Sequence, residues 1–297
     1  MIDKHIIIAA LARDCENSLR INIPLLESFR AQLSYSQVVV VENDSIDATK
    51  LLLNDWEKNS KNVTILSNDF ETVTIPRNSD VNINPMTSTQ RIEKMVAYRN
   101  LYLDFIDKIV EPIDLVIVID IDVLEISLEG LINAIKSFDE KTGAIFSNGM
   151  SIMQSAFGKS EIYYDIFAVW EYPLVEQFSY SPVSLGQTFK SINRKIKTTP
   201  LLPIISAFGG VGIYNYQAIK GLRYKNVLNP LNRLESVCEH IPFNQEIIKR
   251  GFNNYIARDF KVSYGKHNWI LMLKLILPVK AFIYLFPLLL KVKSWLS

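Results

Sequence analysis

The apolar residues of this chain come in two patterns, short unbroken runs and stretches where they recur every three or four positions, and the two alternate. Residues 5–12 (HIIIAALA) are an unbroken run of buried-strand length that stops at Arg13 and Asp14. Asp14 stands where an N-cap would, because Leu19, Ile23, Leu26 and Leu33 follow at spacings of four, three and seven. Residues 37–41 (QVVVV) predict a second buried strand, 49–56 a second helix and 63–66 a third, shorter strand. Strands alternating with helices predict a parallel sheet of the α/β class, in which ligands bind beyond the carboxyl ends of the strands. Residues 68–90 are polar, hold Pro76 and Pro85 and show no period, which predicts a long loop of the kind that closes over a site. A helix over 91–106, a strand starting at Asp114 and another over 143–147 follow. Residues 150–205 are irregular and aromatic-rich, with Tyr163, Tyr164, Phe167, Trp170 and Tyr172 close together. Such clusters build cores more often than sugar platforms.

The strand from Asp114 reads DLVIVIDIDV and ends in two carboxylates, Asp120 and Asp122, one residue apart. Along a strand, positions i and i+2 point to one side, so both acids are placed to face one site. Two hard oxygen ligands suit a Mg²⁺ or Mn²⁺ that keeps part of its water shell and grips the phosphates of a nucleotide. The plain alternative is a pair of acids flanking a turn.

Composition sets outer limits. A chain of 297 residues, 48% hydrophobic and 21% charged, can bury a large core as one domain or one domain with an appendage. A formal charge of +1 argues against a surface built for nucleic acid. The charge is uneven, however. Residues 260–297 hold six lysines (Lys261, Lys266, Lys274, Lys280, Lys291, Lys293) and no acid, which leaves 26 of the 32 basic residues facing all 31 acids in the remainder. Residues 269–290 (WILMLKLILPVKAFIYLFPLLL) are interrupted by Lys274, Pro278, Lys280 and Pro287, and the longest charge-free piece, 281–290, is too short to span a bilayer as a helix. The pattern predicts a body over 1–268 and a basic amphipathic tail over 269–297. The tail would lie on an anionic membrane surface, with Trp269 and Trp295 at the boundary; the alternative is a last amphipathic helix packed on the domain. Cys15 and Cys238 have neither zinc nor disulfide-framework spacing. The first residues fit a core strand better than a secretory signal, so the body is expected at the cytoplasmic face of a membrane, held peripherally.

Several segments line up in order with one family. Residues 41–49 (VENDSIDAT) resemble the V-D-D-G-S-x-D-x-T segment after the second strand of family 2 glycosyltransferases of the GT-A fold. Residues 97–100 (AYRN) are similar to their A-x-R-N helix, and Asp120-Ile121-Asp122 falls where they carry D-x-D. In the second half, residues 208–214 (FGGVGIY) resemble the glycine-containing acceptor-side segment, and Cys238-Glu239-His240 with Gly251 sits where that family has its E-D motif. The form C-E-H, together with residues 164–167 (YDIF), is closer to the capsule-associated α-1,3-mannosyltransferase group. His240 stands in place of the aspartate that serves as base in an inverting family 2 enzyme.

The resemblance implies a GT-A (Rossmann-like) fold, a mixed, mostly parallel sheet flanked by helices. It also implies a metal-dependent glycosyltransferase of cell-surface polysaccharide synthesis. Such an enzyme takes a UDP- or GDP-sugar with Mn²⁺ or Mg²⁺ and transfers the sugar to a glycan or lipid-linked acceptor. In that reading Asp122 is a direct metal ligand, Asp120 a partner of ribose or a metal-bound water, and His267 a third ligand. Glu42, Asp44 and Asp47 lie just past the second strand, where they can bond a base and ribose, although turn acids and a helix cap would look the same. Arg13 follows the first strand within reach of base or phosphate. Arg91 and Arg99, eight apart on one helix, share a face and can fork onto phosphate oxygens or pair with acids. Glu239 is the expected general base, with His240 as its substitute. Two other classes stay open: a nucleotidyltransferase acting on a sugar phosphate, disfavoured because no glycine-rich loop follows the first strand, and a non-catalytic sugar-binding protein.

Overall fold

The computed structural model describes residues 1–69, 71, 87–155, 158–179 and 181–268. The expected closing loop lies mostly outside these residues, and the basic tail lies wholly outside them. In chain order the elements are β1 (Ile2–Ala12), α1 (Glu16–Arg30), β2 (Leu33–Asn43), α2 (Thr49–Asn59), β3 (Val63–Asn68), α3 (Thr89–Ile106), β4 (Leu115–Asp120), β5 (Glu125–Ile126) and α4 (Leu128–Lys136). The second half supplies β6 (Thr142–Ser155), β7 (Gly158–Tyr163), a 3-10 turn (Ile166–Ala168), α5 (Pro182–Lys195), β8 (Leu201–Ile204), β9 (Val211–Asn215), α6 (Tyr216–Ile219), β10 (Val227–Asn229), β11 (Asn232–Val237), α7 (His240–Lys249) and β12 (Asn253–Asn268).

The main sheet runs β3-β2-β1-β4-β9-β6-β12-β5, with β7 added to β6 and β8 to β12. Pairing is parallel from β3 to β4 and between β6 and β12, and antiparallel where β9, β5, β7 and β8 join. Most strands therefore point one way, and the sheet is mixed and mostly parallel, an α/β architecture.

The unbroken apolar runs follow from burial on both faces. Alternate residues of β1 and β2 go to opposite sides: Ile7, Ala9, Val39 and Val41 meet α3 and α7 through Tyr102, Ile106 and Ile241. Ile6, Ile8, Val38 and Val40 meet α1, α2 and α4 through Leu26, Phe29, Trp56 and Leu131.

Two local expectations are corrected. Leu33 begins β2 and does not extend α1, which ends at Arg30. Asp14 is not a helix cap: it adopts φ 45°, and its carboxylate accepts from the Ile46 N–H at 2.8 Å. The helix start is Cys15, which has no side-chain cap bond; the N–H of Glu16 is met from outside the helix by Asp47 at 3.1 Å. Glu16 answers by accepting from the Ala48 N–H at 2.9 Å. These reciprocal bonds tie the turn after β1 to the turn after β2 and fix both where the sheet's carboxyl edge opens.

Candidate functional site

The carboxyl ends of β1, β2 and β4 are in register, with Leu11 opposite Asp120 and Ala12 opposite Glu42. They open onto a cavity of about 310 Å³. Its wall carries Arg13 and Asn43 from these edges, Arg91 and Arg99 from α3, Asp120 from the end of β4 and Asp122 from the turn after it. The second half contributes Asp165, Glu239 and His240. The strand-geometry argument for the aspartate pair is corrected: β4 ends at Asp120, and Asp122 stands in the following turn. The two still share a cavity, because that turn is gripped through its main chain. Asn22 of α1 donates to the carbonyls of Ile121 and Val123, both at 2.8 Å, and Ser18 donates to that of Asp122 at 3.1 Å.

A glycine pair shapes the opposite wall. Gly209 and Gly210 have φ 66° and 94°, and a Cβ on Gly209 would stand 2.3 Å from the Ser147 carbonyl oxygen. This close approach lets the Gly210 carbonyl accept from the Asp120 N–H at 2.8 Å and the Gly209 N–H donate to Asp165 at 3.0 Å.

Arg99 is the charge centre. Its Nε donates to Glu239 at 2.9 Å, a second nitrogen lies 3.7 Å from Asp120, and its guanidinium sits over the rings of Phe208 and Tyr224 at 5.4 and 5.6 Å. Burial works against ionisation of Glu239, but Arg99, with Arg91 adding to it, overrides burial and lowers the carboxyl to about 2. Asp120 goes the other way. Burial, reinforced by the charges of Asp122, Asp165 and Glu239, outweighs Arg99 and raises it to about 7. Burial likewise raises Asp165 to about 7, with Glu239 adding repulsion against the Gly209 hydrogen bond. Asp122 keeps surface open to the cleft, yet the protein crowded around it desolvates the carboxylate and raises its pKa too.

Such crowding of carboxylates is the environment a divalent cation relieves. Asp120 and Asp122 offer the hard oxygens Mg²⁺ or Mn²⁺ prefers. Among the described residues no three acid, histidine or cysteine side chains cluster as a metal site. His267, the expected third ligand, lies in β12 opposite Met153, but its side chain is outside the described residues.

The acids at the end of β2 and in the turn after it do not line the cavity, and Glu42, expected past the strand, is still within β2. Glu42, fully buried, accepts from the Ser45 N–H at 2.9 Å and from the Ser67 hydroxyl. Asp47 is committed to the N–H groups of Thr49 and Glu16, the helix-cap alternative. Asp44, at φ 52°, lies 4.0 Å from Arg13 and accepts from the Glu71 N–H at 2.8 Å. His240 is the first residue of α7, stacked on Phe208 at 4.1 Å with both ring nitrogens buried and unpartnered. Burial, then Arg99, lowers its pKa to about 3, so it is a neutral imidazole.

Asp165 is the residue given no role from sequence. It stands in an irregular link between β7 and the 3-10 turn, so no periodicity marks it, and only tertiary packing brings it opposite Asp120. Its one signal was the YDIF match.

No protein-family model matches the chain, and no curated protein matches it. The chain is similar to a solved mannosyltransferase from Pyrobaculum calidifontis in complex with GDP-Man and Mn²⁺, at 12% identity and TM-score 0.48, over 89% of this chain and 57% of that one. It is similar to residues 1–349 of TarS from S. aureus at 15% identity and TM-score 0.46, over 88% of this chain and 60% of that one. A third likeness is to glucosyl-3-phosphoglycerate synthase from Mycobacterium tuberculosis in complex with UDP, at 11% identity and TM-score 0.39, over 89% and 71%. This chain thus spans less than two thirds of the first two. At these values the likeness gives no residue a role.

Proposed function

We propose that the protein is a metal-dependent GT-A glycosyltransferase that moves a sugar from a UDP- or GDP-sugar to a glycan or lipid-linked acceptor in cell-surface polysaccharide synthesis. One observation carries the reading: four carboxylates, Asp120, Asp122, Asp165 and Glu239, line one cavity at the carboxyl edge of β1, β2 and β4, with Glu239 and Asp120 set against Arg99. The nucleotide lies along that edge, beside Arg13 and Asn43, with Asp44 holding Arg13 in place. Asp120 and Asp122 hold Mn²⁺ or Mg²⁺, with His267 as the third ligand. The ion supplies charge neutralisation on the departing diphosphate. Arg91 adds positive charge on the same wall.

The acceptor enters from the side of Asp165, Glu239 and His240. Glu239, ionised and fixed by Arg99, is a weak base but a firm hydrogen-bond acceptor that can orient a hydroxyl. Asp165, raised to about 7, is matched to taking that hydroxyl's proton near neutral pH. The nucleotidyltransfer alternative has no observation in its favour, since the turn after β1 is Arg13-Asp14 rather than a glycine-rich loop. Among the described residues no helix is long and apolar enough to cross a membrane. Peripheral attachment to the cytoplasmic leaflet through residues 269–297 rests on their lysines and aromatic boundary.

The test is a titration of UDP- and GDP-sugars with Mn²⁺, read as saturable binding and slow donor hydrolysis. Absence of both across the panel overturns the reading.

A further inference from the structure

Beside the acidic cleft, α5 and the loop over 169–179 flank a second cavity of about 420 Å³ that is open to solvent. One stretch of chain walls both: Asp165 to Ala168 face the first, and Val169 to Glu171 face the second. The helix has two unlike sides. Leu185, Phe189, Ile192 and Ile196, spaced four, three and four apart, pack with the core. Ser184, Gln187, Thr188 and Ser191, spaced three, one and three apart, form a separate stripe that lines the cavity.

The hydrogen-bonding capacity of that stripe is only partly used. Ser184 is engaged with Ser181 in the helix cap, and Ser191 donates to Glu171 at 2.9 Å. Gln187 and Thr188 make no side-chain hydrogen bond among the described residues. Gln187 is exposed and Thr188 half-buried, so their amide and hydroxyl are held by water alone and can exchange it for the hydroxyls of a polar ligand.

The facing wall is apolar and rigid. The Trp170 backbone is bonded on both sides to 205–206, with its N–H donating to Ser206 at 2.9 Å and its carbonyl accepting from Ile205 at 3.0 Å. Its indole is braced edge-on by Phe178 at 4.8 Å. Pro173 lines the cavity beside it, and Tyr172 and Leu174 continue the apolar side outward, 47% and 41% exposed.

A fixed indole on one side and free amide and hydroxyl groups on the other complement a sugar ring, which has apolar C–H faces and a rim of hydroxyls. A lipid chain would strip water from Gln187, Thr188 and Glu171 and give nothing back. An anionic ligand finds no spare charge, because Lys195 is already paired with Glu171. We propose that this cavity is a carbohydrate subsite, and that it holds an inner residue of the acceptor glycan while the chain's end reaches Asp165. The binding half stands on this cavity alone; the acceptor half rests on the transferase reading.

The probes are maltotriose, chitotriose, mannotriose and a galactose trisaccharide, followed by calorimetry and saturation-transfer NMR on the full chain. At least one should bind and quench tryptophan fluorescence, and Gln187→Ala/Thr188→Val should weaken it about tenfold or more. That double variant removes no existing hydrogen bond, and circular dichroism checks its fold. Trp170→Leu should also lose binding, and the helix variant keeps the test decisive if it fails to fold. Failure of every trisaccharide at 10-millimolar order, about the weakest affinity a real subsite would have, overturns the subsite. So does binding unaffected by the helix variant. Donor hydrolysis by the unaltered protein separates the two ideas: hydrolysis without trisaccharide binding keeps the transferase and removes the subsite, and the reverse result does the opposite.

Discussion

Arg99 on α3 and Glu239 at the start of α7, 140 residues apart in sequence, meet at 2.9 Å with both side chains almost wholly buried. A buried pair of this kind adds little against a well-packed apolar substitute, but removing one partner strands the other in low dielectric. Arg99→Ala should therefore destabilise the protein by roughly 3–5 kcal/mol in chemical denaturation at pH 7, since it leaves Glu239 without its ion-pair partner and removes the cation 3.7 Å from Asp120. A loss below about 1 kcal/mol would mean that water reaches the pair. The pH sign follows from Glu239, lowered to about 2 from 4.5. Its contribution is complete above the unfolded value and is lost as pH falls from about 4.5 toward 2.

Asp165 carries the opposite sign. Its folded pKa, about 7, lies above the unfolded 3.8, so between those values the folded state keeps a proton that the unfolded state has released. Stability should fall as pH rises through this window and stay reduced above it. Asp165→Asn keeps an acceptor for the Gly209 N–H and removes the charge. In EDTA at pH 8 the variant should be more stable than the parent by roughly 1–3 kcal/mol, with a flatter stability–pH curve and much slower sugar transfer. Equal stability at pH 8 would place Asp165 in contact with water, and full transfer activity would remove it as the base.

How much of this was legible in the chain depends on the kind of burial. β1, β2 and β4 announced themselves because both of their faces are covered, which demands unbroken apolar runs. β6 was read over only 143–147 but extends to Ser155, since Asn148, Gly149 and Ser151 interrupt its apolar residues, which resume at Met150, Ile152 and Met153. Pairing with β12 and β7 keeps that half extended where its weak side-chain pattern alone would not. α5 was missed within an irregular stretch although its signals were present: Ser181-Pro182 at the start, then Leu185, Phe189 and Ile192 at helical spacing. Gly186 and the Ser/Thr-rich stripe masked it. In the cleft, Arg13, Asp120, Asp122, Arg91, Arg99, Glu239 and His240 were singled out from strand ends, helix spacing and resemblance, and packing brings all seven together. Glu42 and Asp47 had the same turn signature as binding acids, and only the hydrogen-bond partners separate the two cases.

Asp122→Ala should leave the fold intact, within about 0.5 kcal/mol by denaturation, because the turn is held by Asn22 and Ser18 through main-chain carbonyls that the substitution does not touch. Mn²⁺-dependent donor binding should disappear. A folded variant that binds a UDP- or GDP-sugar with undiminished dependence on Mn²⁺ removes Asp122 from the metal site.

His240 separates stability from function most cleanly. Its two ring nitrogens are buried without partners, a standing cost that an apolar ring of similar shape would not carry, while its stacking on Phe208 needs only an aromatic face. His240→Phe should therefore leave thermal stability unchanged or raise it, by about 1 kcal/mol at most. If the imidazole is kept to bond the acceptor's hydroxyl, the same variant should lose sugar transfer while retaining donor hydrolysis. A variant that is destabilised and fully active would show the reverse, an imidazole buried for packing. A neutral imidazole, held at about 3 by burial and Arg99, also predicts that neither binding nor transfer titrates with His240 between pH 5 and 8. The histidine's proton NMR shifts should stay flat across that range.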